Sequence, residues 1–183
     1  MDVTILSLWL PILLSAVIVW ILSALVWTVL PHRKNEFRGV PNEEAVRSAL
    51  KGAPPGQYWM PWGQDMKDAA LQQKYQEGPT GIVQLWQPGL PDMPKNMGLS
   101  LLFYVVVGIV VAYIASRTLA PGTEYLQVHR VAGCTAWLAY SFAVIPDSIW
   151  FGKPWSSTAK TVVEALVYGL FTGGVFGWLW PGA

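Results

Sequence analysis

Cysteine and histidine are almost missing from this chain, which has one of the first and two of the second. The lone Cys134 excludes an internal disulfide and any cysteine-cluster metal site. It falls in an apolar stretch and is expected to pack there as a small hydrophobe. Charge is scarce too. Only 13% of residues are Asp, Glu, Lys or Arg, against about 25% in a soluble domain. A net charge of +1 supplies no electrostatic reason to expect nucleic acid or an acidic partner. Chemical motifs are missing as well: no phosphate loop, no nucleophile elbow and no HExxH zinc motif occurs. Nor do two spans share an interrupted helix at matching positions, the mark of many secondary transporters. Pro11 has no mirror.

What the chain does have is apolar length, with 53% hydrophobic residues. Four stretches, at about residues 3–30, 97–116, 128–145 and 157–180, each approach the roughly 20 residues a helix needs to cross a bilayer. A cleaved secretory signal would need a basic start and a short apolar core. Only Asp2 precedes the first run, so a retained anchor is expected. The predicted fold class is an all-α membrane protein with four transmembrane helices. Residues 1–30 form the first, 31–96 a small α+β cap, and 97–183 a three-helix bundle.

Orientation follows from the basic residues. Of 12 Lys and Arg, only Arg117 and Arg130 lie outside the 31–96 segment and the turn with Lys153 and Lys160. The positive-inside rule then puts the cap in the cytoplasm and both termini on the periplasmic side. Trp9, Trp178 and Trp180 would mark the outer interface, with Trp27, Trp150 and Trp155 at the inner one.

Within the cap, Asn42 is expected to cap a helix over 43–51 that ends at Gly52, and Asp65 a second over 66–77. Tyr58 to Trp62 is an aromatic run, and residues 80–87 (TGIVQLWQ) are rich in strand formers. Trp59, Trp62 and Trp86 are expected to fill the small core of this cap.

Two features point toward function. In the fourth span Ala165, Gly169, Gly173 and Gly177 recur every fourth residue, so one helix face is nearly bare. Such a face lets another backbone approach closely in lipid. The row Gly108, Ala112 and Ser116 of the second span is its expected partner, unless a helix of another subunit takes that place. The second feature is intramembrane charge, which is expensive and so a functional hypothesis by default. Glu164 and Asp147 fall at similar depth at one membrane side, with Lys153 and Lys160 between them. They form either a proton or cation site or a structural arrangement. In the latter, the helix dipole favours Glu164 near the start of the fourth helix, while Asp147 pairs with Lys153 or caps the turn. The structural reading is preferred. His32 and His129 fall on opposite sides and cannot share a metal. Ser156, Ser157 and Thr158 read as caps of the fourth span, and residues 146–155 as a rigid aromatic hairpin bracketed by Pro146 and Pro154.

The layout PNEEAVRSAL, PPGQYWMPW, EGPTGIVQLW, PDSIWFGKPW and TGGVFGWLWP resembles an uncharacterised family of small bacterial four-span inner-membrane proteins. The resemblance runs from Pro31 onward and carries no activity, cofactor or catalytic residue. The expected function is a non-catalytic accessory or structural subunit of a larger bacterial membrane complex. A small ion- or proton-coupled transporter using Glu164 and Asp147 is the alternative, and a pigment- or quinone-binding subunit a further one. No cofactor or metal is expected; lipid and other membrane subunits are the expected partners.

Overall fold

From Trp9 to Thr28 there is no charged residue to interrupt the run. Where water is scarce, a helix pairs its backbone groups within the segment, and this run folds accordingly. A computed structural model describes residues 3–182; Asp2 and Ala183 lie outside the described residues. The long helices are α1 (Trp9–Thr28), α4 (Met93–Thr118), α5 (Tyr125–Ser141) and α7 (Trp155–Trp178). Pro11 sits in the first turn of α1, where its missing N–H would have had no intrahelical partner.

Four helical segments are long and apolar enough to cross a membrane: Leu6–Thr28, Met93–Thr118, Tyr125–Trp150 and Trp155–Trp178. The third runs further than its sequence reading. After α5 a single 3₁₀ turn, Phe142–Val144, leads into a short helix α6, Ile145–Trp150. Pro146 lies at the start of α6, a position that costs no hydrogen bond. The proline therefore restarts the helix instead of ending it, and the expected hairpin shrinks to residues 151–154.

The helices form a ring in which α1 packs on α4 and α7, and α5 packs on α4 and α7. Leu8, Val19, Val111, Val128 and Phe176 are fully buried along its axis. Three tryptophans tie the ring with their indole N–H groups. Trp20 donates to Met97 O at 3.0 Å, Trp137 to Val162 O at 3.1 Å and Trp180 to Ala120 O at 3.0 Å. Trp180 is thereby buried, at 3% exposure, and is no interface residue. Trp9, Trp178, Trp27, Trp150 and Trp155 remain exposed at the helix ends.

The cap contains α2 (Glu43–Ala49), α3 (Ala69–Glu77) and an antiparallel pair, β1 (Gly56–Met60) with β2 (Gly81–Leu85). Tyr58 lies opposite Val83 in this ladder. Asn42 keeps the expected N-cap position of α2, while the cap of α3 shifts. Asn42 adopts a left-handed conformation and makes no side-chain cap bond. Asp68, not Asp65, caps α3 by accepting from Ala70 N at 2.9 Å, while Asp65 accepts from Lys67 N in the preceding turn. The expected aromatic core does not form. Leu71 is the only buried hydrophobic residue of the cap among the described residues, and Trp62 and Trp86 are each 75% exposed. Two five-residue strands and two short helices enclose too little volume for an indole.

Candidate functional site

Two assemblies of side chains organise the bundle. The first is the glycine face of α7. A Cβ on Gly169 would lie 2.8 Å from Gly133 O, one on Gly173 2.6 Å from His129 O, and one on Gly177 2.7 Å from the Tyr125 ring. Tyr125, His129 and Gly133 are themselves spaced by four on α5, so two rows run along each other backbone to backbone. The partner is the third span, not the second. The Gly108 and Ala112 row faces α1 instead: a Cβ on Gly108 would meet Ile12 Cγ2 at 3.2 Å, and Ala112 is fully buried. Ala165 is buried at the start of the same α7 face, while Ser116 is half-buried. Cys134 points outward from α5 and is exposed.

The second assembly is polar and lies where the chain leaves α1. Pro31–Arg33 forms a 3₁₀ turn that brings His32 and Arg33 against α7. Arg33 donates from Nε to Glu164 Oε1 at 2.8 Å and from Nη2 to Oε2 at 2.7 Å, a two-pronged pair. Its Nη1 reaches both oxygens of Glu36 at 2.8 Å, and its Nη2 also donates to Thr161 Oγ1 at 3.1 Å. The Arg33, Glu36 and Glu164 side chains are only 7%, 10% and 11% exposed. Burial at this depth is tolerable because every charge is matched and hydrogen-bonded. His32 Nε2 stands 2.5 Å from Glu164 Oε1, and Lys160 Nζ donates to His32 O at 2.7 Å. Ser157 donates to Glu36. The ring of Trp27 lies 4.3 Å from the Arg33 guanidinium, which adds a cation–π contact.

Electrostatics follow from this geometry. The hydrogen bond to Glu164 holds the Arg33 pKa above the ordinary arginine value despite burial. For Glu36, burial alone would raise the carboxyl, but the Ser157 hydrogen bond and the Arg33 charge outweigh it and hold it below the usual range.

Glu164 and Asp147 are not joined. Asp147 sits in the first turn of α6, half-exposed, with Lys153 Nζ at 4.0 Å as its only charged partner among the described residues. Asp147 thus keeps the expected Lys153 pairing, whereas Glu164 is held by Arg33 and His32 and not by the helix dipole alone. Because α7 starts at Trp155, Glu164 stands about two and a half turns into the helix. Ser157 and Thr158 make no cap; they are buried and bond to Glu36 and Ser148 across the junction. What sequence reasoning missed was Arg33 and Glu36. The signal available was four ionisable residues, His32, Arg33, Lys34 and Glu36, placed directly after an uncharged span.

Among the described residues, no group of three or more His, Cys, Asp or Glu is placed to hold a metal ion. No protein-family model, curated protein or solved structure matches this chain.

Proposed function

We propose that this chain is a non-catalytic accessory or structural subunit of a larger bacterial inner-membrane assembly, in which the cap docks a partner. The observation that carries this reading is the surface of the cap. Trp62 and Trp86 are each 75% exposed and Leu90 97% exposed, although none belongs to a segment able to cross a membrane. Large apolar groups left outside both a core and the membrane-length helices mark an interaction surface. Two further features support it. The polar cluster matches its charges internally, as a structural junction does. Transport through Glu164 and Asp147 finds less support, because the two carboxylates have different partners and sit apart.

In the proposed orientation the cap lies in the cytoplasm and both ends of the chain face the periplasm, as the basic residues favour. A reporter fused at residue 65 is expected to give a cytoplasmic signal; a periplasmic one overturns this orientation.

The docking role is tested by purification in mild detergent followed by mass spectrometry of accompanying proteins. The parent is expected to retain specific membrane subunits. The triple variant Trp62→Ser, Trp86→Ser, Leu90→Ser should lose them while its own helices melt as before, because these side chains support no core. A parent that runs alone, or a triple variant that keeps every companion, sinks the docking role.

A further inference from the structure

We propose that the cavity between the 31–38 turn and the start of α7 binds the phosphate head of an anionic phospholipid, with an acyl chain in the adjoining groove. The cavity has a volume of about 770 Å³ and is lined by Trp27, Arg33, Glu36, Arg38, Lys153 and Lys160, among others. Four of these six are cations. Counting charges shows which remain free. Arg33 and Lys160 are balanced by Glu36 and Glu164, so the internal cluster sums to zero. Arg38 makes no ion pair among the described residues, and Lys153 meets only the half-exposed Asp147 at 4.0 Å. One unpaired cation, Arg38, and one held only by a long contact to a half-exposed carboxylate, Lys153, thus stand on the wall of one cavity.

A third contribution has the same sign. Ser156 also lines the cavity, in the first turn of the 24-residue helix α7, where backbone N–H groups lack intrahelical partners and favour an anion. The surroundings then select a lipid over a free ion. Trp27, Trp150 and Trp155 are exposed at this end of the bundle, the residue type that settles at headgroup level. Deeper along α7 lies an apolar groove of about 520 Å³ between Val26 and Leu30 of the α1 end and Val163 and Val167. Lys160 belongs to the wall of both the cavity and the groove. A phosphate in the first and a hydrocarbon chain in the second therefore meet at one residue, as they do in a single lipid molecule. Basic pockets at membrane surfaces hold anionic head groups on this principle.

This inference needs the helices to cross a bilayer but not the docking role of the cap, so the two fail separately. The test is native mass spectrometry of the full chain in mild detergent, offered phosphatidylglycerol or phosphatidylcholine, with and without inorganic phosphate. The parent is expected to retain phosphatidylglycerol preferentially. The double variant Arg38→Gln, Lys153→Gln should lose that preference by roughly 25-fold, from about fivefold for each cation, at an unchanged melting temperature. The control Lys34→Gln, Lys95→Gln removes the same charge outside the cavity and should keep the preference. Equal retention of the two lipids overturns the proposal, as does an equal loss in the control, which would make the attraction diffuse. Displacement of the lipid by inorganic phosphate alone would show that a free anion is the ligand and overturn the lipid assignment.

Discussion

Replacing Gly173 with alanine is expected to destabilise the bundle by about 1–3 kcal/mol, even though alanine is the better helix former by roughly 1 kcal/mol. The reason is what the new methyl meets. It would lie 2.6 Å from His129 O and 3.0 Å from Gly133 Cα. Both are backbone atoms, so no rotamer change can relieve the overlap; α5 and α7 must move apart along their whole seam. Gly174, one residue on, is the internal control. A methyl there meets nothing closer than Tyr125 Oη at 3.6 Å, so Gly174→Ala should be neutral or mildly stabilising. Gly173→Leu should prevent the seam from forming at all. Thermal unfolding in detergent reads all three. A Gly173→Ala protein as stable as the parent would mean that the two rows do not touch.

The second large effect is expected at Glu164. A wetted helix terminus would make Glu164→Gln nearly silent, and that is how the sequence alone presents it. The structure puts the carboxylate at 11% exposure between Arg33 and His32, and removing one member of a buried pair strands the other. Losses of that kind run to about 3–5 kcal/mol. Glu36 still faces Arg33, so Glu164→Gln should fall at the low end, about 3 kcal/mol. Glu164→Asp, which keeps the charge but shortens the reach, should recover part of it. Unfolding of both variants in detergent decides the matter, and a silent Glu164→Gln would return Glu164 to the wetted terminus. Acid should act in the same direction through Glu36. Its carboxyl is held below the usual range in the folded protein, so its stabilisation is present above the ordinary glutamate range and is lost as pH falls through the folded value.

Much of this architecture was legible before any coordinates. Apolar runs near the length of a bilayer identify the four segments, and a glycine every fourth residue identifies a close-packed face. The partner of that face was not legible. Period four in α7 says that something approaches, but both the Gly108 row and the Gly133 row offer small residues, and only three-dimensional placement separates them. In the cap, hydrophobic character suggested a core for Trp59, Trp62 and Trp86, yet character does not reveal whether the enclosing elements are large enough to cover an indole. Glu164 was legible as a costly charge. Arg33 was not recognised as its partner, because a basic residue just past a span also serves as an orientation signal, and the two roles look alike in one dimension.

The bridge between Arg33 and Glu164 joins residues 131 positions apart in the chain. During synthesis the arginine is made before its carboxylate partner, which belongs to the fourth of the long helices in chain order. Until then the guanidinium has Glu36 alone, and the wall that α7 supplies on both α1 and α5 does not exist. Closure of the ring therefore waits for the synthesis of α7. A chain cut short before α7 would keep three membrane-length helices yet display a half-matched arginine and an uncovered Gly133 groove.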